Sequence, residues 1–147
     1  MKFLIINGPN LNLLGSREPE VYGRDSYETL VARIQASAAS MQVEAKVIQT
    51  NHEGEIIDHI HAARGEFDGL IVNPGAYTHY SYAILDALKA VAIPAVEVHL
   101  SNIHKREEFR RTSVTAPGCD GQICGLGQFG YVAAMGYLIE KLSGHES

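Results

Sequence analysis

A tyrosine and an arginine share one loop of this chain, and a glutamate and a histidine share one strand. Between them they could take a proton and give one. Arg17 and Tyr22 lie in a polar segment, 15–23, bounded by Gly15 and Gly23. It follows the apolar run Phe3-Leu4-Ile5-Ile6 and the stretch Asn7-Gly8-Pro9-Asn10-Leu11-Asn12-Leu13-Leu14. Such a composition builds a poor core but a good polar pocket under a flap, and strand-end loops are where enzymes keep their chemistry. A free phenol has a pKa of about 10, and bringing it near 7 takes roughly 4 kcal/mol of preference for the phenolate. A guanidinium beside it in a water-poor closed site can supply that preference. For a generic loop, a packed Tyr22 and a solvated Arg17 are the simpler account.

Glu97 and His99 are two apart on a strand and so point to the same face. A carboxylate there orients the imidazole and favours the protonated form that a general acid needs. The competing account is a structural ion pair; the polar continuation into Ser101 and Asn102 favours chemistry. Arg106 and Arg110 are four apart and share a face if the segment is helical. They read either as a carboxylate clamp or as a solvated face neutralised by Glu107 and Glu108. The segment Asn73-Pro74-Gly75-Ala76-Tyr77-Thr78-His79 offers helix-entry amides to an anion and an imidazole to a ligand hydroxyl. A plain strand-to-helix turn explains it equally well.

The elements that must position these groups alternate along the chain. Strands are predicted at 2–7, 43–49, 69–72, 95–99 and, weakly, 122–124. Helices are predicted at 26–41, 53–64, 80–91, 105–111 and 129–142, the first capped by Asp25 or Ser26. Apolar β-branched strands alternating with helices give an α/β fold, a flavodoxin-like doubly wound sheet of about five parallel strands with helices on both faces. The ends at Asn7, Thr50-Asn51, Asn73 and His99 through Asn102 then share the carboxyl edge, where ligands bind. The glycine run 125–130 fits G-x-G-x-x-G but follows the last strand, so it reads as a helix-entry turn.

Length bounds the rest. The 147 residues suit a single catalytic domain, 1–147, with 46% hydrophobic and 20% charged residues. A net charge of −5 leaves no broad basic face for nucleic acid. Clustered Arg106, Arg110 and Arg111 suit a small carboxylate or phosphate instead. No apolar run approaches a membrane span, and the N-terminal apolar run is too short for a signal-peptide core. Cys119 and Cys124 match neither a zinc pair nor a redox motif and read as reduced thiols, so a cytoplasmic location is expected. No histidine spacing supports a metal site.

These motifs, taken in order, resemble the type II 3-dehydroquinate dehydratases over nearly the whole chain. The resemblance rests on the stretch 7–15 with Arg17-Glu18-Pro19 and Tyr22-Gly23, on 49–54 and 73–79, and on 97–102 and 106–110. It implies a flavodoxin-like hydro-lyase that removes water in the anti sense from 3-dehydroquinate, giving 3-dehydroshikimate through an enolate. Serving shikimate-pathway synthesis of aromatic amino acids and serving quinate breakdown both fit. By resemblance Tyr22 removes the C2 proton, Arg17 lowers its pKa and closes the lid, and His99 protonates the leaving hydroxyl. Glu97 orients His99, and Asn10 helps hold a water that stabilises the enolate. Asn73, His79, Leu100, Ser101 and Arg110 bind substrate, with Arg106 nearby. Asp86 is contributed by a neighbouring subunit of a dodecamer built from trimers. No metal or organic cofactor is implied. Tyr80 and Tyr82 depart from the family's usual smaller residues, which touches the trimer contact or ligand rim. The alternative from another class is a non-catalytic flavodoxin-like module that binds a small anion. It has no use for an acid paired with a base on a lid.

Overall fold

Residues 1–16, 20 and 25–144 are described in the computed structural model. The apolar runs form strands because their branched side chains pack on both sides of a pleated surface. These are β1 (Lys2–Asn7), β2 (Glu44–Gln49), β3 (Gly69–Asn73), β4 (Ala95–His99) and β5 (Gly121–Cys124). All pair in parallel in the order β2-β1-β3-β4-β5, the doubly wound order expected. The central strands β3 and β4 are buried throughout, whereas the edge strand β2 alternates with exposed positions.

Side-chain alternation sorts the sheet into two cores. Phe3, Ile5, Ile71, Val96 and Val98 face one way and pack with α1 (Tyr27–Ser40) and α4 (Phe129–Leu142). Leu4, Ile6, Leu70, Val72 and Ala95 face the other way, against α2 (Glu53–Ala62) and α3 (Tyr82–Val91). Truncating a fully buried member such as Ile71 or Ile84 to Ala costs about 2–5 kcal/mol by lost transfer energy and cavity formation. The hydroxyl of Ser26, not Asp25, caps α1 by accepting the Thr29 N–H at 3.1 Å.

Two predicted helices are corrected. Helix 80–91 starts later, at Tyr82, because Ser81 caps it through the Ile84 N–H at 3.1 Å. The preceding Gly75–His79 forms a 3₁₀ helix instead. The segment 105–111 is not one helix but two 3₁₀ turns, Ile103–Lys105 and Glu108–Arg111. Arg106 between them is extended, with φ −111° and ψ −161°. Asn102 starts the first turn by accepting the His104 N–H at 3.0 Å, and a local bond of this kind competes with a longer helix.

Candidate active site

Strand ends built from small and amide residues let two loops meet tightly at the carboxyl edge. The N–H of Gly8 donates to the Asn73 carbonyl at 2.8 Å. A Cβ on Gly8 would lie 2.7 Å from Pro74 backbone atoms, so only glycine permits this approach. Gly75 adopts φ +60° beside Pro9, which again excludes a side chain without strain. Asn10 is also left-handed, at φ 70°, and its N–H donates to Asn51 Oδ1 at 3.1 Å.

These loops wall a cavity of about 150 Å³, the scale of one small molecule. Asn10, Asn73, His79, His99, Leu100, Ser101, Arg106 and Arg110 all line it. The failure of the predicted helix 105–111 does not disperse the arginines, because the turns between 103 and 111 fold back over the His99 strand end. Arg110 donates from Nε to Glu107 Oε2 at 2.6 Å and stacks over Phe109 at 4.7 Å.

Glu97 lies behind His99, fully buried. His99 donates from Nε2 to Glu97 Oε2 at 3.0 Å, which fixes the ring and turns Nδ1 to its other side. Three further donors reach the carboxylate: Ser113 Oγ at 2.8 Å, Gln122 Nε2 at 2.6 Å and the Thr115 hydroxyl. Burial alone would push this acid up. The hydrogen bond and charge of His99, with the bonds from Thr115 and Gln122, outweigh burial and hold it down at about 2. It is therefore a stable anion. With both hydroxyl protons committed to Glu97, the buried Thr78 hydroxyl donates to Ser113 or Thr115, at 2.7 and 2.8 Å.

His79 is held differently. Its Nδ1 lies 2.8 Å from the Thr112 carbonyl, an acceptor, so Nδ1 carries the proton. Burial lowers its pKa, the Thr112 bond opposes that, and His99 and Arg110 add to the lowering. In the neutral ring Nε2 accepts a hydrogen bond.

Asp86 is exposed on α3 and does not line the cavity of its own chain. Arg17 and Tyr22 lie outside the described residues, as does most of the flap 15–23; Gly15, at its start, has φ +88°.

Four supporting residues carry no local signal in the sequence. Ser113, Thr115 and Gln122 converge on Glu97 from elsewhere in the chain, and nothing in their local pattern announces it. Tyr131 bonds to two strand-end asparagines from α4. The glycine run after β5 is a helix-entry turn as expected. It also anchors β4, since Gly125 and Gly127 donate their N–H groups to the carbonyls of His99 and Leu100 at 3.2 and 3.1 Å.

Comparison with known proteins extends over nearly the whole chain. The family described as Dehydroquinase class II matches residues 1–139. The 3-dehydroquinate dehydratase of Thermotoga petrophila is 59% identical over 142 residues, 97% of each chain. The type II dehydroquinase of Butyrivibrio crossotus superposes with a TM-score of 0.92 at 54% identity, covering 94% of this chain and 97% of that one. The corresponding enzyme of Propionibacterium acnes gives 0.90 at 41% identity, over 93% and 94%.

Proposed function

The chain belongs to the class II dehydroquinase family, and on that premise we propose that it dehydrates 3-dehydroquinate to 3-dehydroshikimate. The observation that carries the reading is a cavity that brings together His99, His79, two arginines and two asparagines, with an anchored carboxylate behind His99. Arg110, oriented by Glu107, and Arg106 suit the substrate carboxylate. Neutral His79 accepts from a ring hydroxyl through Nε2, and Asn73, Leu100 and Ser101 complete the binding set.

In the reaction, Tyr22 takes the C2 proton as a phenolate favoured by Arg17, and the electron pair moves to the carbonyl oxygen as an enolate. A water held with Asn10 stabilises that charge. As the enolate collapses, the C1–oxygen bond breaks and the hydroxyl leaves as water with a proton from His99. Nε2 is tied to Glu97, which assigns the delivered proton to Nδ1. Glu97 stays ionised and steadies the imidazolium.

The test is absorbance on mixing with 3-dehydroquinate, since the enone product absorbs in the ultraviolet and the substrate does not. Absorbance should rise catalytically. Tyr22→Phe should lower turnover by ~10²–10⁴-fold with substrate binding kept. A variant retaining over about a tenth of the activity removes Tyr22 as the base.

The active unit in this reading is a homo-oligomer, a dodecamer built from trimers, in the cytoplasm. The support is Asp86, exposed on α3 outside its own cavity, beside exposed Tyr80 and Tyr82. Asp86→Ala should then weaken both assembly and substrate affinity. A fully active monomer in sedimentation at assay concentration would overturn this.

A further inference from the structure

Tyr131 is a phenol in an apolar core. It is fully buried on α4 among Ile71, Val98, Ala134 and Met135 and does not line the cavity. A hydroxyl in such a place destabilises unless it is bonded, so its partners explain why it is tolerated. Its oxygen donates to Asn7 Oδ1 at 2.6 Å and accepts from Asn73 Nδ2 at 3.1 Å. Asn7 and Asn73 are register partners at the ends of β1 and β3, so α4 reaches under two adjacent strand ends at once.

The direction of these bonds is not free. The N–H of Gly75 can only donate, and it reaches Asn73 Oδ1 at 3.2 Å. That fixes the oxygen end of the amide and turns Nδ2 toward Tyr131. The phenol must accept there and so spends its own proton on Asn7. Gly75, Asn73, Tyr131 and Asn7 thus form a head-to-tail chain in which reversing one bond breaks another. Burial also pushes the Tyr131 phenol up, so it stays a neutral donor.

We infer that Tyr131 is a positioning residue: it locks the Asn73 amide in one orientation, so that its second N–H hydrogen is kept for a substrate oxygen. This rests on the reading above that Asn73 binds substrate. Without the phenol the amide keeps only the Gly75 bond at its oxygen end, so its Nδ2 end can swing away from the geometry that presents the second hydrogen to substrate. A purely structural phenol would affect stability and leave substrate recognition alone.

The test is a double-mutant cycle with 3-dehydroquinate, followed by enone absorbance: wild type, Tyr131→Phe, Asn73→Ala and the double variant. Tyr131→Phe should raise KM about tenfold, with kcat within about twofold. In the Asn73→Ala background the same change should move KM less than about twofold, because the group it positions is gone. If Tyr131→Phe does not fold, Asn7→Leu takes its place in the cycle. It removes the acceptor of the phenol proton and predicts the same coupled KM rise. A KM unchanged in these variants, or an equal rise in both backgrounds, overturns the inference. Absence of turnover in the wild type would instead overturn the proposed function.

Discussion

Under one pocket the two faces of the sheet carry two different buried polar clusters. On the face shared with α3, Glu97 is charged and takes four donors, from His99, Ser113, Thr115 and Gln122. On the face shared with α4, Asn7, Asn73 and Tyr131 are neutral and joined by one bond per link. A charge in a dry interior is tolerated only when its lone pairs are filled, so the first cluster needs many partners. Neutral amides need fewer but must agree in direction, so the second cluster is a chain. The charged cluster can stabilise a positive imidazole; the neutral one can only orient. On the proposed mechanism the charged face serves proton transfer and the neutral face shapes binding.

The largest expected effect that sharpens this contrast comes from Glu97→Gln. The amide cannot match the carboxylate, because its NH₂ must meet one of the four donors, and it does not support a charged His99. Turnover should fall by ~10²-fold or more, chiefly in kcat, measured by steady-state kinetics. A loss confined to KM would erase the distinction between the two faces.

Acid unfolding gives the next effect. The folded-state pKa of Glu97 lies at about 2, below its ordinary value of 4.5. Its contribution to stability is therefore full above pH 4.5 and is lost as pH falls toward 2, because the unfolded chain takes up the proton first. The size is roughly 3 kcal/mol, at ~1.36 kcal/mol per unit. Unfolding free energies from denaturant titration should drop between pH 4.5 and 2 by that amount more for wild type than for Glu97→Gln. Parallel curves would mean that the carboxylate is not held as an anion by its four donors.

The smallest effect lies at the rim. Glu107 pairs with Arg110 at 2.6 Å but is exposed, and its lowered pKa comes first from the Arg110 bond. An exposed pair is screened by water and salt. Glu107→Gln should change KM by no more than about threefold, with the difference shrinking as salt is raised. A large, salt-independent change would move this pair into the class of Glu97.

Much of the fold was legible because strands and helices differ in the period of their apolar residues. The five strands and the helices starting near 27, 53 and 129 come from that period alone, as does the shared face of Glu97 and His99. The reading failed at 105–111, where a short helix was expected to carry Arg106 and Arg110 on one face. The local bond from His104 N–H to Asn102 stopped it, and the arginines meet in the cavity through two tight turns.

The sequence by itself determined which groups could do the chemistry: the Glu97–His99 pair, the strand-end asparagines, the clustered arginines and the loop carrying Arg17 and Tyr22. Each is a local pattern, written in residues a few positions apart. Only the tertiary structure decided what holds Glu97, His99 and the strand-end asparagines in place. Thr115 meets Glu97 across 18 residues, Gln122 across 25, and Tyr131 reaches Asn7 across 124. Contacts at such separations leave no local period, because they arise when strands align in register and helices pack across them. The candidate groups were therefore legible in short stretches of chain, and the positioning of Glu97, His99 and the asparagines was written only in the packing.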